Sequence, residues 1–130
     1  RTRGIDGIII GNTTITRPVY LRSPDRAEAG GLSGKPFFEL STNMLAETYR
    51  RVEGQFPLIG AGGIYDVVSA IEKIQAGASL LQLYSAIVFT GPSLIGDIKR
   101  GLVDHMVANK IAKIADMTGT HAAEWPRKRL

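Results

Sequence analysis

The chain has 130 residues, 44% apolar and 22% charged, with a mean hydropathy of +0.02; this is the balance of one soluble globular domain and excludes a disordered or fibrous segment. It contains no cysteine, so it offers no disulfide framework and no thiolate metal or redox site, and a reducing cytoplasmic setting fits. A net charge of +4 and a pI near 9.6 hint at nucleic acid, but five of the sixteen cations are terminal (Arg1, Arg3, Arg127, Lys128, Arg129), and residues 4–126 hold eleven cations against twelve anions, a net of −1.

The chain opens on Arg-Thr-Arg-Gly, with no initiator methionine and no signal-peptide pattern, and it reads as the interior of a longer protein. Residues 5–10 (IDGIII) form an apolar, β-branched run that ends at Gly11-Asn12 and suits a strand buried on both faces. From 12 to 36 the composition turns to Thr, Arg, Pro, Ser and Gly without helical or strand period; a connection this long is more often a functional loop than a spacer. Ser41 or Thr42 is expected to cap a helix running through Glu53, with Met44, Leu45, Tyr49 and Val52 on one face and Gly54 as its stop.

Residues 56–60 (FPLIG) predict a second buried strand, running straight into Ala61-Gly62-Gly63. Asp66 is a good N-cap for the next helix, in which Val67, Ala70, Ile71 and Ile74 recur until Gly77. A third apolar run, 80–83, is followed by Tyr84-Ser85 and an apolar shoulder at 87–89. Pro92 then opens a long amphipathic helix marked by Leu94, Ile95, Ile98, Leu102, Met106 and Val107, reaching about Lys110. Residues 75–96 lack a charged side chain, yet Gly77, Gln82 and Gly91-Pro92 interrupt them, so we read a buried strand and a helix start rather than a membrane span. The stretch 111–130 is expected to be an irregular tail anchored by Trp125-Pro126, its Arg127-Lys128-Arg129 end a solvated terminus.

This order is α/β: three βα units, with helical crossovers that imply parallel strands and right-handed connections. A parallel sheet needs both faces covered and an eight-stranded barrel needs roughly 200 residues or more, so the units are expected to be an incomplete part of a single (β/α)8 domain.

Four places carry chemical signals, most with a plainer alternative. The Ala61-Gly62-Gly63 turn can bring backbone N–H groups close to an anion, aided by the following helix dipole, or it can be an ordinary tight turn. Tyr84-Ser85 ends the next strand, and barrels often grip a phosphate in the loops after their last two strands. Asn12-Thr13-Thr14 can read a planar ligand with carboxylate and amide-like edges, or simply form an Asx or Thr turn. Residues 30–36 (GGLSGKP) offer N–H groups and one cation, or are a flexible loop. His105 and His121 have no partner at metal-ligand spacing and read as surface residues, and no metal site is expected.

Taken together, Asp6-Gly7-Ile8-Ile9-Ile10 leading into Asn12-Thr13-Thr14, the 30–36 glycine stretch, Pro57 to Gly60 with Gly62-Gly63-Ile64, and Glu72-Lys73-Ile74 through Gly77-Ala78-Ser79 to Gln82-Leu83-Tyr84-Ser85 closely resemble the C-terminal third of class 2 (quinone-linked) dihydroorotate dehydrogenase, over residues 4–102. The resemblance implies the C-terminal three βα units of a TIM barrel that binds FMN, oxidises dihydroorotate to orotate in pyrimidine synthesis and passes electrons to a membrane quinone. It implies that Asn12 and Thr13 bind orotate and that Gly34, Gly63, Tyr84 and Ser85 contact FMN, with Gly62 beside them. It also implies that the catalytic serine base, a flavin-contacting lysine and the helices of the quinone entrance precede this segment; none of Ser23, Ser33, Ser41 or Ser85 takes the base's role. Such a protein would sit peripherally on the cytoplasmic membrane if bacterial, through its N-terminal part. Gly11 and Ala61 depart from the family pattern, which often has a small hydroxyl residue at the first position and Gly-Val-Gly-Gly at the turn. The alternative is a non-catalytic phosphate- or flavin-binding βα module.

Overall fold

The computed structural model describes residues 4–125; the expectations for Arg1, Arg3 and 126–130 fall outside them. Three short strands, β1 (Ile8–Ile10), β2 (Leu58–Ala61) and β3 (Leu80–Gln82), form one parallel sheet in the order β1-β2-β3. The helices are α1 (Phe38–Val52), α2 (Val67–Gln75), α3 (Ser85–Thr90) and α4 (Ser93–Ala108).

Alternation along the strands sorts their side chains by face. Ile8 and Ile10 turn towards α1 and pack in a core with Leu45, Ala46, Leu58, Ala76 and Ala78. Ile9 pairs across the ladder with Ile59, and Ile59 with Leu80, making an apolar row on the opposite face. That face is open: Ile9 is 54% and Leu80 61% exposed. The apolar strand runs thus reflect a sheet built to be covered twice, and this chain covers it once.

A second core joins Ile64, Ala70, Ile74, Ala86, Leu94, Ile98, Leu102 and Met117. Gly101 permits the close crossing of α4 on α2, since a Cβ there would lie 2.3 Å from Val67 Cγ1. Only Leu94, Ile98 and Leu102 are buried on α4; Ile95 and Val107 are exposed, so its apolar stripe is narrower than the sequence suggests.

The start of α1 differs from expectation. Gly34, at φ 75, breaks the preceding loop, and Lys35–Phe37 form a 3-10 turn with Pro36 inside it, so the helix begins at Phe38. Ser41 and Thr42 are therefore not caps; they lie inside the helix, fully buried, with Thr42 donating its hydroxyl to the Phe38 carbonyl at 2.6 Å and Ser41 Oγ lying 3.0 Å from the same carbonyl. Met44 lies on the exposed side of this helix. The 87–89 shoulder folds as α3, ended by Gly91 at φ 85. Within the tail, 3-10 turns at Ile114–Met117 and Ala122–Glu124 bury Met117 and Ala122. Its Gly119 and His121 amides donate to the carbonyls of Ile74 and Gln75 at the end of α2, the first of which also accepts from the Gly77 amide.

Asp66 caps α2 as expected: its carboxylate accepts from the Ser69 amide at 2.8 Å, and Ser69 Oγ accepts from the Asp66 amide at 3.0 Å. Replacing Asp66 with Ala should lower stability by about 1 kcal/mol, read as an earlier urea midpoint with an unchanged slope.

Candidate ligand cleft at the strand ends

The three strands release the chain at one edge. β1 leads into Gly11-Asn12-Thr13, β2 into Gly62-Gly63-Ile64, and β3 into Leu83-Tyr84-Ser85; with Ser33 and Gly34 these segments line a cleft of about 400 Å³. All seven residues singled out by sequence, Asn12, Thr13, Gly34, Gly62, Gly63, Tyr84 and Ser85, are in its wall. A larger hollow, about 530 Å³, lies among α1, α2 and the tail, lined by Glu39, Glu72, His121 and others; it includes none of the strand-end residues.

The glycine turn is held from behind. Gly62 and Gly63 have φ of 89 and 78, and a Cβ at either would collide with Phe37 or Phe38, at 2.6 and 2.3 Å. Both glycines are thus required by close packing on the start of α1 as well as by backbone sign. Gly34 differs: the nearest atom to its absent Cβ is Ser85 Cβ at 3.7 Å, so the space it leaves opens on the cleft. The two departures from family pattern touch each other, since a side chain on Gly11 would meet the Ala61 carbonyl at 2.6 Å.

Electrostatically the wall is neutral: among the described residues no charged side chain lines the cleft. Lys35, the cation of the glycine-rich stretch, sits over the Tyr65 ring, 4.3 Å from its centroid. The N-terminus of α2 is occupied by Asp66, so the expected help from that helix dipole is already used by the chain's own carboxylate. What remains are backbone amides, the hydroxyls of Thr13, Ser33, Tyr84 and Ser85, and the amides of Asn12 and Gln82. Asn12 and Thr13 side chains have no hydrogen-bond partner among the described residues; the Thr turn that sequence allowed here is made by Thr14, whose Oγ1 accepts from Thr16.

Three interactions at the site go beyond what the sequence shows. Ser33 Oγ and Ser85 Oγ are hydrogen-bonded at 2.9 Å, joining the glycine-rich stretch to α3. Arg17 gathers the long loop: its guanidinium donates to the carbonyls of Thr14, Thr16, Arg26, Glu28 and Gly30, at 2.8 to 3.4 Å. An antiparallel bridge between Thr14 and Leu32 completes the clasp, and Gly31 lies so close to Thr13 that any Cβ there would overlap its hydroxyl. Third, Lys73 of α2 is fully buried and donates to Ser41 Oγ at 2.7 Å and Thr42 Oγ1 at 2.8 Å. Burial pushes its amine down from 10.5 to about 7, against a smaller opposing pull from the Glu72 carboxylate.

Two outcomes are expected. Between pH 7 and 10.5 the unfolded Lys73 keeps a proton that the folded one gives up, so its contribution to stability rises with pH through that window and is flat below it. Urea unfolding at about pH 6.5 and about pH 9 should show wild type gaining on Lys73→Met at the higher pH; an unchanged difference would mean that Lys73 is not titrating there. Arg17→Lys keeps the charge but loses the planar fork, so limited proteolysis should cut residues 14–30 faster while the urea midpoint moves little.

The dihydroorotate dehydrogenase family model matches residues 1–106. A relative named dihydroorotate dehydrogenase (quinone) from Bradyrhizobium diazoefficiens is 50% identical over 132 aligned positions, covering 97% of this chain and 36% of the relative. Another of that name, from Azorhizobium caulinodans, is 54% identical over 116, covering 89% and 33%. The crystal structure of ligand-free DHODH from Eimeria tenella superposes with a TM-score of 0.85 at 37% identity, covering 90% of this chain and 33% of that one. The chain therefore spans about a third of the length of the curated relatives it matches, and its parallel βα units form part of a barrel of that kind. On the extent of the family match, together with the fold it shares, the chain belongs to the dihydroorotate dehydrogenase family.

Proposed function

We propose that this chain is the C-terminal part of a quinone-linked dihydroorotate dehydrogenase, an enzyme that oxidises dihydroorotate to orotate for pyrimidine (UMP) synthesis with FMN as its cofactor. The observation that carries the reading is the meeting of Asn12, Thr13, Gly34, Gly62, Gly63, Tyr84 and Ser85 in one cleft, although they leave three different strands and a loop. The relatives' names, which specify the quinone type, support the choice of electron acceptor.

The cleft is chemically suited to FMN. The side missing from Gly34 opens into it, and the Gly62-Gly63 turn, fixed by Phe37 and Phe38, offers backbone N–H groups without needing a cation. In this reading Gly34, Gly62, Gly63, Tyr84 and Ser85 hold the flavin and its phosphate, with Ser33 fixing the Ser85 hydroxyl. FMN, when bound, supplies the hydride acceptor and returns the electrons to a quinone. Asn12 and Thr13, whose side chains have no hydrogen-bond partner among the described residues, hydrogen-bond the orotate ring and carboxylate and so orient the substrate. Among the described residues the wall contains no carboxylate, imidazole or amine, and this reading assigns proton removal from substrate to a residue that precedes this segment in the full-length protein. Membrane contact and the quinone entrance likewise belong to other parts of the protein; among the described residues no helix is long and apolar enough to cross a membrane.

The test uses the full-length protein. Purified material should retain FMN, and orotate should perturb the visible flavin spectrum. Asn12→Ala should weaken orotate roughly 10–100-fold while leaving flavin bound; a variant that keeps wild-type orotate affinity and activity would sink the substrate role of Asn12.

A further inference from the structure

Behind the glycine turn lies a buried polar chain that the proposed chemistry does not use. Lys73 Nζ donates to Ser41 Oγ, and Ser41 Oγ lies 2.8 Å from the Gly62 carbonyl, to which it can donate. The lysine also donates to Thr42 Oγ1, which passes its proton to the Phe38 carbonyl. An amine beside a serine at 2.7 Å has the shape of a nucleophile and its base, but Ser41 and Lys73 are both at 0% exposure, so no substrate reaches either. The chain ends instead on the backbone of the turn that lines the cleft.

The site accepts an amine without a counter-ion. Two hydroxyls receive Nζ hydrogens, and the face of Phe38, 4.8 Å from Nζ, covers the remaining side. The stem is locked as well, since a Cβ on Gly60 would lie 2.7 Å from Lys73 Cγ. Lys73 therefore occupies a lone pair of Ser41 Oγ and orients its hydroxyl, whose single proton goes to the nearer of two carbonyls, Gly62 at 2.8 Å against Phe38 at 3.0 Å. A methionine would fill the space but leave the Ser41 hydroxyl free to turn back to the Phe38 carbonyl, its other acceptor at 3.0 Å.

We propose that Lys73 is a positioning residue for the ligand-binding turn, acting through Ser41 on the Gly62 carbonyl to hold the Gly62-Gly63 amides in their anion-receiving arrangement. The proposal rests on the flavin reading of the cleft for its ligand, but its effect on the turn stands apart from any ligand.

Two measurements on the full-length protein separate these parts. In the flavin-free protein, amide exchange at residues 62–65 should speed up in Lys73→Met and in Ser41→Ala, while amides of α4 keep their wild-type rates. FMN titration, followed by flavin fluorescence, should show about tenfold weaker binding in each single variant, and the double variant should be no weaker than the singles, because both act in one chain. Loss of thermal stability with unchanged exchange at 62–65 and unchanged FMN affinity would overturn the proposal and leave Lys73 as a core residue. Additive losses in the double variant would overturn the route through Ser41. If Lys73→Met does not fold, Ser41→Ala alone decides, since it removes the link without touching the lysine. Faster exchange at the turn in a protein that binds no FMN would uphold the positioning role and defeat the flavin reading.

Discussion

Parallel pairing of β1, β2 and β3 is the constraint on which the rest of the molecule depends. In an antiparallel sheet successive strands would deliver their loops to opposite edges; here every strand arrives at the same one. Segments separated by some fifty residues of chain, those after β1 and after β2, are brought side by side in the cleft wall. The helices needed to return the chain then cover one face of the sheet, and the apolar row Ile9, Ile59 and Leu80 marks the other face as one designed for cover as well.

Within that frame the cleft is shaped by backbone more than by side-chain charge. Phe37 and Phe38 press on the glycine turn from one side, and the Lys73, Ser41 and Gly62 chain supports it from beneath. Leaving the wall uncharged has a physical advantage. Amide and hydroxyl donors satisfy an anion without presenting the strongly hydrated charge that a free site would have to keep solvated between ligands.

The parts of the fold legible in the sequence were those governed by local pattern. The apolar strand runs, Asp66 as a cap and Gly77 as a stop each depend on a few neighbouring residues, and each is where the sequence placed it to within two or three positions. The roles of the cleft residues came from resemblance to a family, and from the rule that barrels work at their strand ends. The start of α1 was not legible, because Ser41 and Thr42 satisfy the preference for a cap and their actual partner, Lys73, lies 32 and 31 residues away. Lys73 itself left a trace: three after Ala70 and next to Ile74, it falls on the buried stripe of α2, where a lysine needs explanation. Arg17 left none, since a loop without period gives no hint of which carbonyls will converge on one guanidinium.

The clasp around Arg17 has a consequence for how the site answers to its surroundings. Its bonds run from a cation to neutral backbone carbonyls, with no carboxylate in the set. Mobile ions weaken attraction between separated charges far more than they disturb a guanidinium in direct contact with a dipole. The loop that brings Thr13 and Gly34 together should therefore keep its shape from dilute buffer to concentrated salt. Any ionic-strength dependence of binding at this cleft then reports the charge of the ligand and its approach, not a rearrangement of the walls.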